Sequence, residues 1–346
     1  MTETKNDKAW KELFIKYDIL HNIEKNGLFE ITSQQINQFR EARLMTKFDY
    51  KGQLPKLFVK NKLSILPITR GSYVISTFKA YKNFEELNTK ITRFSFPDYI
   101  ESLDYENITS EATALNCAYG SSIIADFMED EGIIPTISGR MSSSCFDFKI
   151  KEVKTNKYIP ISVTNSQVEI DGGYEGYKSL AVVEAKNSLS EDFLVRQLYY
   201  PYRLWQSKIN KKVRPIFMTY SNDIFSFYEY EFQEPNNYNS LVLLRQKNYL
   251  IEQEEIKLED ILDILKNVDI VEEPSDIPSP QANNFKRVIN LCEELMKKDL
   301  TKEDIHTNYA FEPRQADYYV NAGRYLGLIE KNTVGRIAIY SISNLG

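Results

Sequence analysis

The sequence is poor in the residues from which many hydrolytic and redox sites are built. Its three cysteines, Cys117, Cys145 and Cys292, are scattered with no CxxC spacing, which excludes a zinc-ribbon pattern and a disulfide framework. The two histidines, His21 and His306, stand far apart in the chain, so His-centred catalysis lacks its material. No apolar run reaches about 18 residues and the opening ten residues are polar and charged, so a cytoplasmic protein with no membrane partner is expected. Short-period repeats and low-complexity tracts are missing too. Carboxylates are left to carry any catalysis. The formal net charge of -6 argues against indiscriminate coating of nucleic acid, yet it allows local basic patches on an acidic body.

The 346 residues suffice for two or three domains, and a composition of 42% hydrophobic and 27% charged residues is that of a folded protein. Helical spacing of Trp10, Leu13, Phe14, Tyr17 and Leu20 predicts one amphipathic helix over residues 9–23. Thr32 to Gln35 reads as a capping box opening a second helix that ends near Arg43. Strands at 64–68 and 73–78 follow, joined by a turn at Thr69-Arg70-Gly71-Ser72, and together these define a winged-helix-like module over 1–95. A long helix over 109–128 leads into strands at 144–153, 167–171 and 180–186, a helix at 192–208, and strands at 213–220 and 226–232. This α/β segment, 96–265, is expected to carry the chemistry. An acidic stretch ends in Glu273-Pro274-Ser275-Asp276-Ile277-Pro278-Ser279-Pro280, whose prolines block helix and central strand, and it predicts a linker over 266–282. Three helices and a hairpin over 283–346 form a second winged-helix-like unit, expected to be separable.

The chemistry concentrates in two facing strands, Gln167-Val168-Glu169-Ile170-Asp171-Gly172-Gly173 and Leu180-Ala181-Val182-Val183-Glu184-Ala185-Lys186. Alternation places Glu184 and Lys186 on one face, with Val183 and Ala185 on the other. Asp171 on the facing strand comes near Glu184, and hard oxygen donors of this kind hold Mg²⁺. Such an ion polarises a scissile phosphate and lowers the pKa of bound water, while Lys186 orients the nucleophile and offsets phosphate charge. A surface hairpin with Asp, Glu and Lys is the ordinary alternative, but here the charged pair ends an apolar strand.

Asp171 with Glu184-Ala185-Lys186 resembles the Asp and Glu-x-Lys elements of the PD-(D/E)XK nuclease superfamily, and Arg196-Gln197-Leu198-Tyr199-Tyr200 is similar to the helix-borne Gln-and-Tyr element of part of it. The combination is most similar to a type II restriction endonuclease. That resemblance implies a restriction-endonuclease-like core, a mixed sheet flanked by helices, with Mg²⁺-dependent double-strand cleavage of a short DNA sequence. The need to cut two strands leads to an expected homodimer, and a companion DNA methyltransferase is the expected functional partner. No Pro precedes Asp171, and Glu169 shares its strand face, so either acid is open as the direct ligand. The superfamily's extra helix carboxylate falls on Glu111, with Asp126 and Glu129 as alternatives. Gln197 is a candidate to fix Lys186 or a phosphate, and equally an ordinary helix-face glutamine. Asp147 reads as a solvent-facing strand carboxylate. Candidate DNA contacts are Arg40, Arg43, Lys47, Lys51 and Arg70 in the first module, Arg140 beside the core, and Arg314, Gln315 and Asn321 on the candidate recognition helix. Two competing readings are a non-catalytic winged-helix DNA-binding regulator and a structure-specific repair nuclease that reads shape.

Overall fold

The computed structural model describes residues 3–346 apart from 86, 88, 253–256, 269–271, 309–312 and 336, together with the side chains of all of these but 307, 308, 313 and 314. In the first module, α1 (Lys5–Lys16) starts at a capping box in which the Thr4 hydroxyl accepts from the Asp7 amide. The predicted single helix breaks at Asp18, whose φ of 46° is left-handed, and α2 (Ile19–Asn26) restarts beyond it. The Asn22 side chain donates to the Tyr17 carbonyl, and to that of Asp18, which also accepts from the Asn22 amide. After β1 (Phe29–Thr32), the Thr32–Gln35 capping box opens α3 (Ser33–Asn37). The predicted run to Arg43 is interrupted there, because Asn37 Oδ1 accepts from the Ala42 amide and turns the chain into α4 (Ala42–Thr46). Next come α5 (Lys56–Asn61), β2 (Ser64–Pro67) and β3 (Ser72–Ser76), and the three strands pair antiparallel in the order β1-β3-β2. Trp10, Leu13, Ile36, Phe58 and Ile75 fill this core, and the Trp10 indole N–H is satisfied by the Met45 carbonyl at 3.0 Å.

The central body is mixed α/β. It comprises β4 (Tyr81–Asn83), β5 (Ile91–Phe94), α6 (Glu111–Gly120), α7 (Ile123–Met128), β6 (Ile134–Ser142), β7 (Phe146–Lys151), β8 (Tyr158–Val163), β9 (Gln167–Glu175), β10 (Ser179–Lys186), β11 (Asp192–Leu194), α8 (Arg196–Gln206), β12 (Lys212–Ser221), β13 (Ile224–Phe232) and β14 (Leu241–Ile251). Seven strands form one sheet in the order β5-β14-β13-β12-β10-β9-β6, with β10–β12 and β14–β5 parallel and the other pairs antiparallel. The strands β4 and β5, grouped by the sequence with the first module, belong to this body, since β4 pairs with β11 and β5 with β14. The predicted helix over 109–128 is two helices, broken at Ser122 with φ 65°. The predicted helix over 192–208 begins as the strand β11.

Central position dictates the composition of β10. Leu180 and Val182 pack with Leu198 and Tyr199 of α8 on one face. Ala181, Val183 and Ala185 pack with Ala114, Leu115 and Ile123 of α6 and α7 on the other. A strand covered on both faces reads as a nearly continuous apolar run, and charge is admitted only at its carboxyl end.

Beyond the sheet lie α9 (Leu258–Asn267), α10 (Phe285–Lys297), β15 (Leu300–Thr301), α11 (Lys302–Asn308), α12 (Pro313–Tyr325), β16 (Ile329–Val334) and β17 (Ile337–Ile342), with a small antiparallel sheet ordered β15-β17-β16. The acidic stretch before the prolines therefore contains a helix, α9. The last unit is fastened to the central body. Asn290 of α10 accepts from the Leu189 amide at 3.0 Å and donates to the Asn187 carbonyl at 2.8 Å. The Glu293 carboxylate accepts from Ser221 Oγ at 2.9 Å and the Asn222 amide at 2.6 Å. These bonds form a polar seam that the linker composition does not reveal. Among the described residues no helix is long and apolar enough to cross a membrane.

Candidate active site

A cavity of about 120 Å³ opens at the carboxyl end of β10, walled by Asp171, Glu184, Lys186, Glu111, Gln197 and Arg196, among others. Glu184 is 8% exposed, and its Oε1 accepts from Lys186 Nζ at 2.6 Å and from Gln197 Nε2 at 2.5 Å. Alternation along β10 puts the acid and the amine side by side, and α8, crossing from β11 to β12, brings Gln197 over the same face. Glu111, the first residue of α6, lies 3.8 Å from Lys186 Nζ, so the ammonium sits between two carboxylates.

Asp171 reaches the cavity through an irregularity in β9. Between Gly139 and Ile137 of β6 two steps are matched by three on β9, from Ile170 to Gly173, so the extra residue of a bulge falls at Asp171 and Gly172. Bulges re-aim side chains, and Asp171 Oδ2 is held by the Ala185 amide at 2.8 Å, across from the acid-bearing strand. The two glycines that follow are required by crowding. A Cβ on Gly173 would stand 2.6 Å from Ile137 Cβ, and one on Gly172 would meet the Tyr174 ring at 2.8 Å.

Burial pushes the Glu184 carboxyl up to about 8, with Asp171 and Asp49 adding to the rise and Lys186 opposing it. Burial raises Glu111 as well, with Lys186 and Lys47 pulling against it. Burial opposes the charge of Lys186, but Glu184 and Glu111 outweigh it and hold the amine well above its ordinary value. Tyr50, buried beside Ser188, is pushed up to about 12 by burial.

Among the described residues no three acids, histidines or cysteines stand grouped as a metal-binding set. The Lys186 ammonium is itself the cation between Glu184 and Glu111. The donor chemistry nevertheless fits a hard divalent ion. Carboxylates of Asp171, Glu184, Glu111 and Asp49 wall one cavity, and the buried oxygens Gln197 Oε1 and Asp49 Oδ1 accept no hydrogen bond from the protein.

Asp171, Glu184, Lys186, Gln197 and Glu111, favoured by sequence for catalysis or metal binding, and the alternative acid Glu169 thus line one cavity. Asp126 and Glu129, the alternative helix acids, lie elsewhere. Asp126 accepts from Tyr249 at 2.6 Å and Lys247 at 3.0 Å, while Glu129 pairs with Arg245. Of the candidate DNA contacts whose side chains are described, only Lys47 reaches the cavity. Arg43 pairs with Glu41, Lys51 with Asp192, and Arg140 with Glu169. Arg40 is half-buried and Arg70 exposed. Gln315 donates to Glu191 at 3.0 Å, within the contact between the last unit and the central body. Asn321 accepts from Arg324 at 3.5 Å, and the side chain of Arg314 lies outside the described residues. Asp147 is exposed on β7. Tyr200, part of the Gln-and-Tyr element read from the sequence, also lines the cavity, whereas sequence reading gave no role to Asp49 or Arg196 there, nor to Tyr50 beside it. Asp49 and Tyr50 sit in an irregular segment with no periodicity to single them out, whereas Arg196 was within reach as the neighbour of Gln197.

The fold and cavity define a mixed α/β protein with a buried acid–amine site at the end of a central strand. Residues 76–250 match a family model described as a domain of unknown function, DUF6997, and the chain belongs to that family. Residues 7–75 match a second domain of unknown function, DUF6996, and residues 287–346 a third, DUF7226. No curated protein and no solved structure matches the chain.

Proposed function

We propose that this protein is a Mg²⁺-dependent endonuclease that hydrolyses DNA phosphodiester bonds at the cavity ending β10. The observation that carries the reading is the buried Glu184–Lys186 contact at 2.6 Å, with Asp171 and Gln197 converging on the same cavity. A surface hairpin has no reason to bury such a pair, because desolvating two charges costs several kcal/mol per ion, of the order of about 5. The mixed sheet flanked by α6, α7 and α8 supports a restriction-endonuclease-like core. The helices and small antiparallel sheets at either end support winged-helix-like modules.

In this reading Asp171 and Glu184 would hold the cation, with Glu111 as a further candidate carboxylate. When bound, the ion supplies Lewis-acid polarisation of the phosphate and a water of lowered pKa. Lys186 Nζ leaves Glu184 to orient the nucleophile and offset phosphate charge. Gln197 Nε2 holds Glu184 Oε1 in place. Arg196, which stacks over the Tyr200 ring at 5.7 Å, and Lys47 offer positive charge to a DNA backbone. A type II restriction activity follows, acting on double-stranded DNA as a homodimer so that both strands are cut, with a companion methyltransferase protecting the host's own sites.

The test is digestion of phage DNA with Mg²⁺ and with EDTA, followed by sequencing of fragment ends. Discrete ends at one short sequence, seen only with Mg²⁺, are expected. Unchanged DNA under both conditions would overturn the proposal.

A further inference from the structure

The chain that leaves Lys186 at the end of β10 returns to the cavity at Arg196 and Gln197, the first residues of α8. Between them, residues 187–191 belong to no helix or strand, so their course is set by what holds them. Both terminal parts of the molecule do so. The Asn290 side chain of α10, itself buried, donates to the Asn187 carbonyl at 2.8 Å and accepts from the Leu189 amide at 3.0 Å. The Glu191 carboxylate accepts from Arg287 at 3.2 Å and Gln315 at 3.0 Å.

The intervening residues turn to the first module. Ser188 Oγ shares a hydrogen bond of 3.1 Å with the Tyr50 hydroxyl. Just beyond, the Asp192 carboxylate accepts from the Lys51 amide at 2.9 Å and pairs with Lys51 Nζ at 3.3 Å. Positions 187, 189 and 191 are thus bonded to the last unit, and 188 and 192 to the first module. Such alternation is that of an extended chain with a different partner on each side. The far end is pinned by the pairing of β11 with β4, which leaves 187–191 as the part whose order depends on the two modules.

Ordering a loop costs backbone conformational entropy, and a loop already ordered by one partner spares the next partner that cost. We propose that residues 187–191 couple the terminal modules: docking of the last unit through Asn290 orders the loop for Tyr50, and docking of the first module orders it for Asn290. Lys47 and Asp49, which line the cavity, precede Tyr50 in the chain, so this wall of the cavity is tied to the last unit through the loop. The inference goes beyond the hydrolytic reading and holds whatever the cavity does. A ligand that undocks either terminal module would loosen the grip of the other.

The test is amide hydrogen exchange, resolved by residue, on the full chain as wild type, Tyr50→Phe and Asn290→Ala, with amides inside α1 as the reference for general destabilisation. Tyr50→Phe leaves the Leu189 amide and its acceptor intact, yet Leu189 should exchange at least about fivefold faster relative to the α1 amides. Because coupling is reciprocal, Asn290→Ala should speed exchange of the Lys51 amide in the same way, although Lys51 keeps its Asp192 acceptor. The two modules also meet directly, where α11 lies beside residues 51–53, and both variants leave that contact in place. If Leu189 in Tyr50→Phe, or Lys51 in Asn290→Ala, rises no more than the α1 amides, the loop is not the coupling element and the inference is overturned. An unchanged Leu189 amide in Asn290→Ala would overturn it too, by showing that Asn290 does not hold the loop.

Discussion

The central sheet carries two buried ion clusters, and they are built in opposite ways. Around Glu229, Arg214 donates twice, at 2.8 and 2.7 Å, and Arg245 adds a third bond at 2.8 Å. Arg214 also donates to the Met128 and Phe127 carbonyls at the end of α7. Burial alone would push Glu229 up, but the two guanidinium groups outweigh it and hold the carboxyl below its ordinary value. Around Glu184 there is one amine shared between two acids, a glutamine with an orphaned oxygen, and a carboxyl raised to about 8 by burial. Both clusters are desolvated. Only one is satisfied, and that one has no cavity against it among those described. A buried charge pair by itself says little about function; incomplete satisfaction beside an open volume points to a missing partner.

The largest effect expected is on the closed cluster. Glu229→Ala leaves Arg214 and Arg245 facing each other without a counter-charge, and should destabilise the fold by about 3–5 kcal/mol in chemical denaturation. Little change would put the Glu229 cluster on the same footing as the Glu184 one. Next, Lys186→Ala should lower single-turnover DNA cleavage by about 10²–10³-fold while retaining Mn²⁺ binding. A smaller loss is expected from Gln197→Ala, about 10–100-fold in metal affinity or cleavage, because it acts through Glu184.

The pH response separates the clusters further. A carboxyl whose folded pKa is raised to about 8 binds a proton that the unfolded chain releases near its ordinary value, so its contribution favours the metal-free fold at low pH and is lost as pH rises through about 8. Metal binding must expel that proton. Mn²⁺ affinity measured by calorimetry should therefore climb between about pH 6 and 8 and flatten above, with net proton release at the lower end. Glu229, held low, stabilises the fold above its ordinary pKa and loses that contribution only in acid. The smallest effect belongs to Asn290→Ala in α10, which unties the loop leaving β10 and should cost about 1 kcal/mol.

Much of the candidate site was legible because it sits on regular elements. Alternation along β10 places Glu184 and Lys186 together, and helical spacing after it delivers Gln197. Asp171 was legible as a residue, but the bulge that aims it depends on register with β6, a strand the sequence does not announce. The breaks at Asp18 and Ser122 are single left-handed residues inside otherwise continuous helical periodicity, and periodicity cannot register them. The strands β4 and β5 escaped for another reason: they are short edge pairings made to partners more than a hundred residues away. The same applies to Asp49, whose place in the cavity wall depends on where the first module docks.

The measurement closest to the central claim is Mg²⁺-dependent cleavage of phage DNA by wild type and Glu184→Gln, at a temperature where melting curves show both fully folded. Discrete fragments from the wild type and intact DNA from the variant are predicted. Equal fragmentation by both, or none by the wild type, would contradict the assignment of the cavity at the end of β10.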